Sequence, residues 1–224
     1  MKKHVFYTEF AYLIGLALIA LGAALMARSD LGVSMIVAPA YILHLKLSLY
    51  NPFFTFGITE LFTQIIVLIL MWIVVRRVLA TDLICFVSAF IYGFLLDRWV
   101  SLCSLIPVTL LSSRIIVFVV GMLICALGVA FVFHTYIPCQ SYDYFVKRVT
   151  QHFQLPTRRV KTCFDLSSLA VGVVLSFAFF GFGTFRGIGV GTVVCAFVNG
   201  TLISLFSKGL EKRFEFKDRW RKGK

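Results

Sequence analysis

Apolar residues gather along this chain into six long runs, at about 9–27, 53–75, 82–104, 115–134, 162–182 and 187–207, separated by short polar intervals. A helix needs roughly 20 predominantly apolar residues to cross the hydrocarbon core of a bilayer, so each run predicts one transmembrane helix. Two intervals, 29–52 and 135–161, are longer than a tight turn. They open on S-D-L-G-V-S at Ser29 to Ser34 and T-Y-I-P-C-Q-S at Thr135 to Ser141, then lead into a short amphipathic stretch. In the second, Phe145, Val146 and Val149 recur at helical spacing, while Asp143, Lys147 and Arg148 fall on another face. Two readings fit such a segment: a broken or re-entrant element that lines protein or a watery cavity, or an interfacial helix lying flat on the membrane.

The pattern also repeats. G-L-A-L-I-A-L-G at Gly15 to Gly22 returns as G-M-L-I-C-A-L-G at Gly121 to Gly128, and A-F-I-Y-G-F-L at Ala89 to Leu95 returns as A-F-V-N-G-T-L at Ala196 to Leu202. An acidic residue recurs between them, Glu60 in the first half and Asp165 in the second, and the three offsets are 106, 107 and 105 residues. Three runs per copy is an odd number, so the second copy enters the membrane from the opposite side. The expected fold is therefore an all-α membrane protein of two inverted three-helix repeats, residues 1–110 and 111–207, each with its broken or interfacial segment after the first helix. A basic segment, 208–224, follows. The first run follows Lys2 and Lys3 and ends in A-L-M-A, as a signal peptide can. Its phrase recurs deep in the chain, so it is expected to be a retained helix of the bundle.

Composition agrees with membrane residence: hydrophobic residues make up 60% of the 224 and charged residues 14%, against about a quarter charged in soluble domains. The net charge of +12 would suggest nucleic acid if the bases formed one solvated surface. Here they sit between apolar runs and follow the positive-inside rule instead. With the N-terminus inside, only Arg28, Lys46, Arg98, Arg114 and Arg186 fall on the exterior side, out of 22 Lys and Arg. Both termini are expected in the cytoplasm, with the basic tail near anionic lipid, where each cation is worth about 1 kcal/mol. The six cysteines form no C-x-x-C pair and read as small apolar residues. Cys139 alone follows a polar break, after Pro138.

An ionisable group inside a span costs about 2.5–3.5 kcal/mol on insertion scales, which makes each one a candidate for function. Glu60 has Thr59, Thr63 and Gln64 as polar neighbours in sequence. Asp165, its counterpart, lies within two turns of Arg158, Arg159 and Lys161, where a simple interfacial ion pair would also account for it. Asp30 and Asp143 occupy the two breaks, the second beside Gln140, where a carboxylate can bind a cation or an ammonium group. Tyr92 and Asn199 are equivalent polar positions in the A-F-x-x-G-x-L phrase, and its glycines, Gly93 and Gly200, suit close helix packing. Asp97 beside Arg98 reads as a local pair. His134 and His44 are of the residue type that shuttles protons, and neither has an H-x-x-H partner. No G-x-S-x-G, H-E-x-x-H or Walker phrase occurs, so no catalytic residue, metal site or cofactor is expected.

Four phrases are shared with a known group: S-D-L-G-V-S at Ser29 to Ser34, an Asp in the second break at Asp143, basic residues Arg158 and Arg159 followed by Asp165, and G-I-G-V-G-T at Gly187 to Thr192. On these the chain resembles the YczE/YyaS/YitT group of small bacterial membrane proteins over nearly its whole length. It departs where the group tends to carry Pro-Trp-Asp after the first phrase and this chain has Met35, Ile36 and Val37. The resemblance implies a multi-span inner-membrane protein without naming an activity. The function expected from paired breaks and paired carboxylates is a secondary transporter or facilitator of a small polar solute. The alternative is an accessory or scaffold protein that regulates a partner complex through its basic tail. Expected partners are membrane lipid and a small-molecule or ion substrate, with no nucleic acid; a homo-oligomer is compatible with the sequence.

Overall fold

A computed structural model describes residues 4–137, 140–181 and 186–218. Pro138, Cys139 and the end of the basic tail, 219–224, lie outside the described residues, as do Lys2 and Lys3. Among the described residues the chain forms eight helices: α1 (Thr8–Ser29), α2 (Ala38–Leu47), α3 (Phe56–Val75), α4 (Ala80–Cys103), α5 (Leu111–Phe133), α6 (Ser141–Phe153), α7 (Thr157–Phe180) and α8 (Val190–Arg213). Six of them, all but α2 and α6, are long and apolar enough to cross a membrane. This is a multi-pass membrane protein.

The centre of the bundle is the pair α1 and α5. Lipid is as apolar as leucine, so such helices associate through close backbone approach rather than by hiding hydrophobic surface. Gly15 and Gly22 of α1 meet Gly128 and Gly121 of α5, in that order, which makes the two helices antiparallel. A Cβ at Gly22 would lie 2.6 Å from Gly121 O and from the Cβ of Cys125, and one at Gly128 would lie 2.8 Å from Gly15 O. The phrase that occurs twice in the sequence is thus in contact with its own copy. Helix α4 packs on α1 and α8 on α5 around this pair. Leu16, Ala20, Ala23, Met26 and Tyr92 belong to the resulting core.

The two short helices cross between the halves. The Ser141 N–H, at the start of α6, donates to Gln64 Oε1 at 3.3 Å, and Gln64 lies about 12 Å along an α3 roughly 30 Å long. Two turns further along α6, Arg148 donates to Arg77 O, just past α3, at 2.8 Å. Helix α6 therefore begins beside the middle of α3 and runs out along its second half. Helix α2 does the same along α7: its start, Ala38, packs on Gly172, and near its end Lys46 Nζ donates to Phe179 O at 3.3 Å. Both short helices begin inside the bundle, against protein. This favours the broken, cavity-lining reading over a helix lying flat on the surface, because their first-turn backbone groups are held away from lipid.

Two shared phrases also find each other. Gly191 N–H donates to Leu31 O at 2.9 Å, and a Cβ at Gly32, whose φ is +111°, would meet Gly189 N at 2.7 Å. The turn after α1 is thereby clamped to the start of α8.

The basic segment read as a tail starts within α8, which continues to Arg213. Beyond it, strand β2 (Phe214–Lys217) pairs in parallel with strand β1 (His4–Tyr7) at the opposite end of the chain. The Thr8 hydroxyl donates to Asp218 at 3.0 Å beside this ribbon. First and last elements thus share one end of the bundle.

The two halves differ in one seam. In the first, Gly93 of α4 faces Gly57 of α3, where a Cβ at Gly93 would come 2.8 Å from Gly57 O. In the second, Gly200 has nothing within 4 Å of the Cβ it lacks, and among the described residues α7 and α8 make no extended contact. Gly93 is a packing glycine as expected; Gly200 is not. The position of α7 that corresponds to Gly57 carries Thr162, with no glycine to admit a neighbouring backbone.

Replacing Gly22 by leucine forces α1 from α5 and is expected to cost about 1–3 kcal/mol, read as a lowered unfolding temperature in detergent. Gly209→Ala, at a position with nothing within 4 Å of the new Cβ, leaves that temperature unchanged or raises it.

Candidate functional site

The open seam leads into a cavity of about 190 Å³ between α1, α4, α5, α6, α7 and α8. Its wall is apolar over most of its extent, from Ile19, Met26, Val33, Val129 and Ile203 among others. Charge is confined to Asp143 on α6 and to Lys161 and Asp165 on α7, with the amides of Gln140 and Asn199 and the ring of Tyr92 adding polarity. Residues 33–37, from the first break, line it as well. Five of the seven candidates named from sequence therefore meet in one place.

Lys161 organises the charged edge. Its Nζ donates to Asp143 Oδ1 at 2.9 Å and stands 3.9 Å from Asp165 Oδ1, beyond hydrogen-bond reach. Helical spacing explains the second contact, since Lys161 and Asp165 are four apart on α7. Asp143 sits in the first turn of α6, where the helix dipole favours a negative charge. Three buried polar atoms in this cavity have no hydrogen-bond partner: Asp165 Oδ1, Gln140 Nε2 and Asn199 Oδ1. Buried polar groups are normally paired, so three orphans converging on one space mark it as a place for a polar ligand or water. Gln140 is only 9% exposed.

The other two candidates lie elsewhere. Glu60 is fully buried and lines neither cavity. Its Oε1 accepts from Tyr142 Oη at 2.9 Å and from Gln64 Nε2 at 3.3 Å, which fastens the start of α6 to α3. Glu60 therefore holds the element that carries Asp143 rather than facing the same space as Asp165. Asp30 ends α1 in a left-handed turn and faces Arg114 at 3.5 Å, with 73% of its side chain exposed. Together with Arg28, Tyr41 and His44 these residues line a second space of about 340 Å³ beside the α1–α2 turn.

Three polar groups carry more than the sequence suggested. Lys161 reads there as a mere neutraliser of Asp165, whereas it bridges two helices. Asp82, at the start of α4, is 2% exposed and accepts from Trp72 Nε1 at 2.9 Å, from Tyr144 Oη at 2.7 Å and from the Leu79 N–H at 2.9 Å. Burial, with Asp82 beside it, holds the Tyr144 phenol above its ordinary pKa, so it stays a donor. Asp82 thereby ties α3, α4 and α6 together. A carboxylate at a helix start is a common cap, so its sequence context hides this role. Asp97 is likewise more than half of a local pair: it accepts from Thr55 Oγ1 and the Gly57 N–H, both at 2.6 Å, and so caps α3. Arg98 turns instead onto the Phe94 ring. His134 lies 3.2 Å from Glu211 and stacks on Phe216.

A family model described as a family of unknown function, DUF6198, matches residues 6–208. The chain belongs to this family. The DUF6198 protein is also 28% identical over 212 residues to the uncharacterized protein YyaS of Bacillus subtilis (strain 168), covering 93% of this chain and 96% of that one. The resemblance to YyaS-like proteins is thus established. No solved structure matches the chain.

In this DUF6198 protein, solvent should reach the cavity and not Glu60. In a cysteine-free background, Asn199→Cys is expected to react with a hydrophilic maleimide at least tenfold faster than Glu60→Cys, as read by mass shift on the detergent-purified protein.

Proposed function

We propose that this protein is a secondary transporter or facilitator that moves a small polar solute across the bacterial inner membrane. In this reading residues 1–110 and 111–207 are inverted repeats, and the termini are cytoplasmic. Three observations support the repeats: the antiparallel glycine contact of each repeated phrase with its copy, the packing of α4 on α1 and α8 on α5, and the crosswise course of α2 and α6. An axis in the membrane plane relates such elements. The concentration of Lys and Arg at the end that holds β1 and β2 supports the orientation.

The observation that carries the transport reading is the cavity itself. A half-buried Asp–Lys–Asp group and three orphaned polar atoms line a space beneath two helices that begin inside the bundle. Each unpaired buried polar group costs about 1–3 kcal/mol, a cost that a polar occupant of the cavity would offset. Alternating access needs a site that both halves line, and here α1, α4 and residues 33–37 of the first half face α5 to α8 of the second. Rocking one half on the α1–α5 contact would change which end of the bundle opens to the site. The reading assigns no covalent chemistry to the cavity, and no cofactor.

The test is flux into proteoliposomes of a panel of radiolabelled amino acids, amines and sugars. At least one solute should enter above the rate of empty liposomes. Asp165→Asn is expected to lower that flux at least tenfold, and Glu60→Gln, which keeps an acceptor for Tyr142, to retain most of it. No transported solute in the panel, or full flux in both Asp165→Asn and Asp143→Asn, would overturn the proposal.

A further inference from the structure

Resting on the transport reading, we propose that the cavity recognises a primary ammonium group carried on a small apolar frame. The protein's own Lys161 shows what the carboxylates accept. Its ammonium is bonded to Asp143 and stands 3.9 Å from Asp165 Oδ1, too far for a hydrogen bond, leaving Asp165 Oδ1 and, on α8, Asn199 Oδ1 without donors. An ammonium has three N–H groups and can supply both. Charge points the same way. Two carboxylates face one cation, and a second cation brings the group to neutrality, which matters most where water is scarce.

The frame follows from the rest of the lining. Met26, Val33, Val129 and Ile203 offer hydrocarbon, which suits an organic body better than a hydrated ion. The space of about 190 Å³ equals roughly six water molecules at about 30 Å³ each, and is smaller than the roughly 300–1,000 Å³ of pockets for drug-sized ligands. Ala196 and Gly200 of α8 line the cavity and are exposed, so it is open along α8. Gln140 Nε2 adds one feature: a buried donor with no acceptor. An amino acid would offer it a carboxylate oxygen, whereas a simple amine would not. The ammonium is common to both.

Three probes of one carbon skeleton separate these sources: 3-methylbutylamine, L-leucine and 4-methylpentanoate, titrated against the full-length protein in lipid nanodiscs by calorimetry and thermal shift. The amine is expected to bind saturably, and the carboxylate at least tenfold more weakly. Asp165→Asn and Asn199→Ala should each weaken the amine at least tenfold, with the ligand-free unfolding temperature of Asp165→Asn within a few degrees of the parent. Binding of the amine alone, or of the amine and leucine together, supports the proposal, and leucine binding that Gln140→Ala weakens assigns the carboxylate to that amide. Equal or tighter binding of 4-methylpentanoate, amine affinity unmoved in Asp165→Asn, or no binding of any probe overturns it. Nanodisc binding requires no transport. Amine binding without flux therefore removes the transport reading and leaves the ammonium site, while flux of another solute without amine binding does the reverse.

Discussion

Helices in lipid cannot be driven together by burying apolar surface, so something must let their backbones touch, and here it is the absence of four side chains. Gly15, Gly22, Gly121 and Gly128 bring α1 and α5 to van der Waals contact over two turns. Dispersion at that distance, summed over two closely apposed backbones, replaces the hydrophobic drive. All other placements follow. Helix α4 leans on α1, α8 on α5, and the short helices reach across to α3 and α7. If α1 moved away from α5, the cavity would lose two of its walls together.

The same rule, applied unevenly, makes the site. Glycine admits glycine between α3 and α4, and that seam is shut. Between α7 and α8 the corresponding pair is Thr162 and Gly200, and the helices stand apart. The space left there is bordered by Asp143, Lys161 and Asp165. A perfectly symmetric molecule would place the same opening in both halves, whereas this one keeps its carboxylate pair in the second. The departures Met35, Ile36 and Val37 in the first break accord with that: they leave the first half's contribution to the wall without a charge.

Much of this was open to reading from the residues. The six spans were legible because about 20 apolar residues in a row have few other uses, and the boundaries shift by a few residues, as at α8, where helix persists through Lys208, Lys212 and Arg213. The doubled phrase was legible too, although not that its copies touch. The grouping of carboxylates was harder. Glu60 and Asp165 hold matching places in the repeated sequence, yet Glu60 lies on α3 bonded to Tyr142 and Asp165 lines the cavity, because a sequence offset carries no distance. Asp143 and Asp165 instead come together on Lys161 within one half, set by how α6 folds back on α7, and hydrophobic periodicity carries no trace of that angle. Nor does local sequence separate Asp82, wholly buried with three donors, from an ordinary capping residue.

The ribbon of β1 and β2 has a consequence for how the molecule is made. Val5 and Phe6 find their partners in Glu215 and Phe216, so a strand made before all six spans is completed by one made after them. Until α8 has entered the membrane, β1 has an unpaired edge and α1 has only part of its surroundings. The chain is therefore closed into a ring by noncovalent means at a late step of its synthesis. A nascent protein stalled anywhere before Phe214 is an open string of helices, with β1 still waiting for its neighbour.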